Sequence, residues 1–495
     1  MLPADICQRA LSARDARFDG IFFVGITTTK VYCRPVCPSR SAVPAHRRFF
    51  ESPAAAEHAG FRPCLRCRPE LAPGRALIDA VPRLAQAAVQ RIGAGALNGH
   101  GVEVLARELG VSGRHLRRAL QRAIGVSPLE LAQTHRLLLA KRLLADTDLP
   151  VTRIAFASGF RSLRRFNAAF RERYRLNPTA LRPATQRGTS PDDVVRLTLA
   201  YRAPLAWRVL VACLARDALP GVEVASDGRY VRTVRLAGQA GIVAVTDVTP
   251  EPGNNDRARG PHLAVAVSPS LVPALMPLIA RLRHVFDLDA EPRVIDAHLA
   301  QAGLAALVRC RPGLRIPGAV DGFEAVLRAL LATRALRRRV VRAFGEPIEP
   351  ALPGLTHYAP TAERVAAAGG ARIAALGVSP RRAAAIASLA RAMAEGRLRL
   401  DPGTDVESAR RALLEVAGVG EPLATAIAAP ALYWPDAFVA SSRLLRRAAA
   451  ASGAPDVSAR AERWRPWRAY AALHLTLHHE ESRDPDQGHV PMEAP

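Results

Sequence analysis

Four of the seven cysteines in this 495-residue chain stand in two close pairs, Cys33-x3-Cys37 and Cys64-x2-Cys67, with 26 residues between the pairs. Each short pair can wrap one side of a metal ion, and four thiolates close a tetrahedral shell of the kind that holds structural zinc. Cys7, Cys213 and Cys310 are isolated. An odd count spread in this way argues against a disulfide framework, so metal binding is the leading reading and one Zn2+ the expected cofactor. A coordinated thiol stays deprotonated at neutral pH, so a sulfur in such a site is a nucleophile that needs no general base.

The charge is as uneven as the cysteines. Residues 1–190 carry 31 Lys+Arg against 13 Asp+Glu, most of the chain's formal +25. Arginine supplies nearly all of it, and a planar fork that binds phosphate bidentately suits a polyanion partner. A hydrophobic content of 49% can fill real cores, yet no apolar run free of charge or proline reaches membrane-spanning length. Met1 to Ala10 hold Asp5 and Arg9 and no signal-peptide pattern, so a cytoplasmic, nucleoid-associated protein with no membrane partner is expected.

The elements that must position these groups fall into several units. Residues 1–74 form the cysteine domain and residues 75–183 show helical periodicity. Residues 184–193 have linker composition, residues 194–291 carry alternating stretches that predict an antiparallel sheet with helices, and residues 292–481 are mostly helical. Residues 482–495 form a polar tail expected to be disordered. In the second unit, Val102 to Gly110 predicts a helix and a glycine turn, with Ser112 capping a helix over 112–123 that bears Arg114, Arg117 and Arg118. A second copy begins 49 residues later: Val151 to Gly159, then a helix on which Leu163, Phe166 and Phe170 share one face while Arg161, Arg164, Arg165 and Asn167 lie elsewhere. An apolar anchor thus backs a basic face.

The flanks of the cysteines, Thr27-Thr-Thr-Lys-Val-Tyr-Cys33-Arg-Pro-Val-Cys37-Pro-Ser-Arg and Ala59-Gly-Phe-Arg-Pro-Cys64-Leu-Arg-Cys67-Arg-Pro, resemble the N-terminal domain of the Ada family. The resemblance implies a small α+β zinc domain in which one thiolate irreversibly accepts a methyl group from a methylated DNA phosphate. By motif position that acceptor is Cys33, and the zinc is both structural and activating. Transfer would change the formal charge of zinc with four thiolates from −2 to −1, lowering repulsion from DNA. Arg34, Arg40, Arg47 and Arg48 are candidate phosphate ligands. The paired helical units, with Phe170-Arg-Glu-Arg-Tyr-Arg-Leu-Asn-Pro178 at their end, resemble the all-α AraC/XylS DNA-binding domain. Two recognition helices joined by a helix over 128–144 imply binding to successive major grooves of double-stranded DNA by a monomer, with RNA polymerase as the expected protein partner.

Residues 194–480 are similar to AlkA-type helix-hairpin-helix glycosylases for 3-methyladenine in DNA. The similarity rests on Val285-Phe-Asp-Leu-Asp289, Arg311-Pro-Gly-Leu-Arg-Ile-Pro-Gly318 and Ala417-Gly-Val-Gly420. It implies an α+β N-subdomain, an all-α glycosylase fold, and a hairpin whose Gly418 and Gly420 let backbone N–H groups approach a phosphate. Such enzymes flip the base and use an aspartate to stabilise the cationic sugar and the attacking water. Here Ser442 stands at that aspartate's position, Glu421-Pro-Leu-Ala424 replaces the usual hairpin continuation, and Thr476 replaces a base-stacking tryptophan. Residues Leu330 to Arg339 also fall about two helical turns short of the family's pattern. The only lysines are Lys30 and Lys141, outside this half, which argues against a Schiff-base lyase. No Pro-Cys-His-Arg run, the O6-alkylguanine methyltransferase motif, occurs.

The expected function is a DNA alkylation response: methylphosphotriester methyl acceptor and sequence-specific regulator, fused to a DNA-binding domain with impaired base excision. An active regulator–glycosylase fusion and a zinc-stabilised transcription factor without enzyme activity are the alternatives.

Overall fold

The computed structural model describes residues 2–39, 42–73, 83–182, 194–248, 260–349, 352–451 and 457–483. The predicted linker, 184–193, lies outside the described residues, as does all of the tail beyond Arg483.

The cysteine domain is α+β, as expected. Helix α1 (Ala4–Ser12) precedes strands β1 (Phe23–Ile26), β2 (Val31–Cys33) and β3 (Arg47–Phe50), helix α2 (Pro53–His58) and the short β4 (Arg62–Pro63). The sheet order is β3-β1-β2-β4, and β2 runs parallel to β4. Gly25 in β1 is required by packing: a Cβ there would lie 2.7 Å from the Phe50 ring and 2.8 Å from that of Phe61. Those rings meet at 5.2 Å and fill the small core.

Six helices follow: α3 (Arg83–Gly93), α4 (Val102–Glu108), α5 (Gly113–Ile124), α6 (Pro128–Asp146), α7 (Val151–Ala157) and α8 (Leu163–Tyr174). The α4–α5 and α7–α8 turns pass through Gly110 and Gly159 at φ +70° and +87°, conformations open to glycine at little cost. Ser112 Oγ accepts the His115 N–H at 3.2 Å and so caps α5, while Ser127 and Glu130 form a capping box that opens α6. Phe166, Phe170 and Tyr174 stack along the buried face of α8, with centroids 5.5 and 4.4 Å apart.

The third unit contains β5 (Val195–Ala200), α9 (Trp207–Arg216), β6 (Glu223–Ser226), β7 (Arg229–Leu236), β8 (Gln239–Val248), β9 (His262–Val267) and α10 (Leu275–Val285). Its antiparallel sheet, as the alternating stretches predict, has the order β5-β9-β8-β7-β6. The composition break before this unit does not separate two independent cores. Ile154, Phe160, Phe166 and Phe170 belong to one apolar cluster with Val195, Val243, Leu271 and Phe286. The second helix-turn-helix unit is therefore rooted in the sheet unit.

The last unit is helical: α11 (Pro292–Leu299), α12 (Ala305–Cys310), α13 (Gly322–Leu330), α14 (Arg334–Phe344), α15 (Ala362–Ala374), α16 (Pro380–Ala394), α17 (Val406–Leu414), α18 (Glu421–Leu432), α19 (Arg443–Ala451), α20 (Val457–Ala461) and α21 (Arg468–Arg483). One core gathers Phe323, Ile386 and Ile427, and a second gathers Leu299, Leu445, Trp464 and Leu475. Helix α21 overruns the expected start of the tail at 482. No helix among the described residues is long and apolar enough to cross a membrane.

Phe170 is fully buried in the apolar cluster that the second helix-turn-helix unit shares with the sheet unit. Phe170→Ala is expected to cost about 3–5 kcal/mol, read as a lowered urea midpoint of the full chain.

Candidate metal centre and nucleic-acid surfaces

The parallel pairing of β2 with β4 puts Tyr32 opposite Pro63, so the next residue on each strand, Cys33 and Cys64, emerges at the same edge. The Cys64 N–H bonds to the Tyr32 carbonyl at 2.9 Å and holds that register. Cys37 and Cys67 come back from turns, Cys67 just before Arg68 at φ +52°. All four sulfurs then lie within 4.8 Å of one another. A tetrahedral Zn–S shell has sulfur–sulfur edges of about 3.8 Å, so the set fits a zinc ion. Packed this closely, the thiols divide their protons unequally: hydrogen bonding to Cys37 chiefly pushes Cys33 up, and hydrogen bonding to Cys33 chiefly pulls Cys64 down. A bound divalent cation supplies the positive charge that lets every sulfur be a thiolate.

The four sulfurs are not equivalent. Cys37, Cys64 and Cys67 are 8%, 8% and 2% exposed, whereas Cys33 is only half-buried. Backbone N–H groups of Arg34 and Arg66 point at the sulfurs of Cys67 and Cys64, both at 3.4 Å. No backbone N–H bond to the Cys33 sulfur is found among the described residues.

Arg34 requires a correction. Expected to meet a DNA phosphate, it is 2% exposed and lies beneath the cluster. Its Nε donates to Asp19 at 2.8 Å, Nη2 makes a second contact to the same carboxylate, and Nη1 donates to the Cys67 carbonyl at 3.2 Å. A guanidinium spent on a buried carboxylate cannot also reach a phosphate. Arg47 donates to the Ala42 carbonyl at 2.7 Å, and Arg48 is exposed above the Phe50 ring. Arg40 lies outside the described residues.

Behind the cluster, the zinc domain docks on α6 and α8 through buried polar pairs that nothing in the sequence reading anticipated. Lys141 of α6 donates to the Cys64 carbonyl at 3.1 Å and to Glu70 at 2.6 Å. Arg68 bridges Glu70 at 3.0 Å and Asp146 at 2.7 Å. Glu57 accepts from Tyr32 at 3.1 Å and from Thr134 at 2.7 Å, and pairs with Arg173 at 3.3 Å. The carboxylates carry no sequence signal. Lys141 does, as one of two lysines in an arginine-rich chain.

The helix-turn-helix residues stand where the pattern put them. Arg114, Arg117 and Arg118 on α5 are exposed, Arg117 being paired with Glu103 at 2.7 Å. Arg161, Arg164 and Arg165 are exposed around the start of α8, and Asn167 is half-buried. Both basic sets occupy the N-terminal halves of their helices, the part of a recognition helix that meets base edges.

In the last unit Gly418 and Gly420 are exposed between α17 and α18, with Gly418 at φ +89°. Glu421, in the first turn of α18, is ion-paired with Arg410. Ser442 is half-buried, and its hydroxyl accepts the Leu445 N–H at 3.3 Å, capping α19. Asp436, the nearest alternative carboxylate in sequence, is pinned by Arg465 at 2.6 Å and Arg468 at 2.8 Å. Thr476 turns its hydroxyl back to the Ala472 carbonyl at 3.0 Å. Helix α13 stops at Leu330, and the link Leu331 to Thr333, whose Thr333 caps α14, leads into that helix, so the segment flagged as short spans the connection and the first turns of α14.

Residues 6–70 match the family described as the metal binding domain of Ada, residues 105–184 a helix-turn-helix domain, and residues 196–321 the AlkA N-terminal domain. A Mycobacterium tuberculosis protein named as a probable bifunctional transcriptional activator/DNA repair enzyme AlkA is 38% identical across 97% of this chain and 98% of its own length. The Escherichia coli DNA-3-methyladenine glycosylase 2 is 31% identical across 56% of this chain and 95% of its own length. The bifunctional transcriptional activator/DNA repair enzyme Ada of the same organism is 30% identical across 30% of this chain and 40% of its own length.

Removing the cation beneath the cluster leaves Asp19 buried and unpaired. Arg34→Met is therefore expected to destabilise the zinc-loaded chain by about 3–5 kcal/mol in urea titrations. Substitution of a solvated phosphate ligand would leave that midpoint unmoved.

Proposed function

The chain belongs to the family of bifunctional Ada/AlkA transcriptional activators and DNA repair proteins, and we propose that its Cys33 is the methyl acceptor while its excision site is impaired. The observation that carries the first part is the inequality of the sulfurs. Cys33 is the one that solvent and a DNA phosphate can approach, and backbone N–H bonds that would draw off electron density fall on Cys64 and Cys67. In the transfer, the Cys33 thiolate attacks the methyl carbon of a phosphotriester. The S–C bond forms, the C–O bond breaks, and its electron pair stays on oxygen as a phosphodiester anion, with no proton to move. Zinc, one ion per domain, holds the attacking sulfur as a thiolate. The basic faces of α5 and α8 read an operator on DNA as two half-sites of one chain, so a monomer suffices, and RNA polymerase is the partner through which binding acts on transcription.

The second part rests on Ser442. A serine hydroxyl bonded as a helix cap is neutral, and Asp436 is already neutralised by two arginines. Neither supplies the negative charge that the cationic sugar needs. The similarity to a glycosylase across 95% of that enzyme favours the competing reading, an active fusion.

Two measurements decide these points. Zinc-loaded chain incubated with methylphosphotriester DNA is expected to gain one methyl on the Cys33 peptide by mass analysis, and an unmodified peptide would leave a regulator without methyl transfer. On 3-methyladenine DNA the chain is expected to release little base, with Ser442→Asp raising abasic-site formation about a hundredfold. Robust excision by the unmodified chain would establish the active fusion instead.

A further inference from the structure

We infer that Lys141 couples the state of the thiolate cluster to the DNA-binding module, so that methylation of Cys33 releases the zinc domain from helix α6. The inference rests on Cys33 as acceptor and adds a residue from outside the zinc domain to its site. Lys141 is 2% exposed and lies on the helix joining the two helix-turn-helix units. Its ammonium has two partners, both in the zinc domain: the carbonyl of Cys64, itself a metal ligand, and the carboxylate of Glu70. Among 69 Lys+Arg the chain places lysine only here and at position 30. A compact point charge with three rotatable donors serves both partners in this buried corner.

The physical link is charge. Zinc with four thiolates carries a formal −2, and the transfer written above leaves −1. A cation whose partner is a ligand's own carbonyl, in a site from which water is excluded, feels that loss with little screening. The cluster's pull on Lys141 weakens, and with it the dock that Lys141 shares with Arg68, Glu70 and Asp146. By reciprocity, docking favours the unmethylated cluster by the same factor. The zinc domain is the part that moves, because α7 and α8 stay rooted in the apolar cluster they share with the sheet unit. Release also loosens the Glu57–Arg173 pair, which ties α2 to the recognition helix α8.

Hydrogen exchange on the full zinc-loaded chain tests this. The chain is methylated with a methylphosphotriester oligonucleotide and freed of DNA in high salt, and the mass of the Cys33 peptide is followed in parallel. Exchange at residues 64–71 is expected to rise about tenfold on methylation. Cys33→His, which replaces one thiolate by a neutral ligand without any methyl transfer, is expected to give the same rise. In the neutral pair Lys141→Met with Glu70→Gln, exchange is expected to be fast from the start and indifferent to methylation. A merely structural lysine would leave that double variant fast but still responsive, and this overturns the inference. So does unchanged exchange in a chain whose Cys33 carries the methyl group. A missing methyl group sinks the acceptor reading alone, and the Cys33→His comparison then decides whether the coupling exists.

Discussion

Thiolates crowded within 4.8 Å repel one another, and the N-terminal third of this protein is organised around making that crowding tolerable. The parallel β2–β4 pairing fixes two sulfurs by backbone register, and two turns return the others. A zinc ion, which the four cysteines fit, would supply the compensating charge from within. Arg34, held on Asp19 and reaching the Cys67 carbonyl, supplies it from below, and Lys141 supplies it from the neighbouring module. Cys33 is left as the sulfur most open to solvent, which makes one structural site chemically lopsided.

The same electrostatics explain how the zinc domain and the helix-turn-helix module meet. Their interface combines buried ion pairs and hydrogen bonds around Glu57, Glu70 and Asp146 with an apolar contact of Ala54 on the core of the first helix-turn-helix unit. Desolvating charges makes such an interface modest in net stability but selective in geometry, and sensitive to any change of charge nearby. The junction between the second helix-turn-helix unit and the sheet unit is the opposite kind, an apolar cluster through Phe166, Phe170 and Phe286 that no change of charge would loosen. The DNA-binding module thus meets the zinc domain through a joint rich in buried charge and the sheet unit through an apolar one.

The C-terminal half keeps an AlkA-like glycosylase fold, and three of its polar side chains are engaged in local contacts. Ser442 caps α19, Asp436 is held by two arginines, and Thr476 bonds its own helix backbone. Each of these side chains now serves local structure. The exposed hairpin glycines, a backbone feature that needs no ionisable group, remain.

The amino-acid sequence by itself determined the local features: the thiolate set through its spacing, both helix-turn-helix turns through glycine and serine signals, and the neutral residue at position 442. These depend on a few neighbouring positions, and short-range geometry is written in residue order. The tertiary structure decided the rest. Arg34 looked like a surface cation because it adjoins a cysteine in a basic stretch, and only the fold shows that Asp19 draws it inward. Lys141 lies 77 residues from Cys64, a separation over which no periodicity speaks, and the contact exists because α6 packs against the zinc domain. The apparent break before residue 194 likewise records polar composition, while the apolar cluster that closes across it is made by residues that meet only in three dimensions. Buried charge pairs and shared cores depend on which surfaces exclude water together, and that is settled by packing.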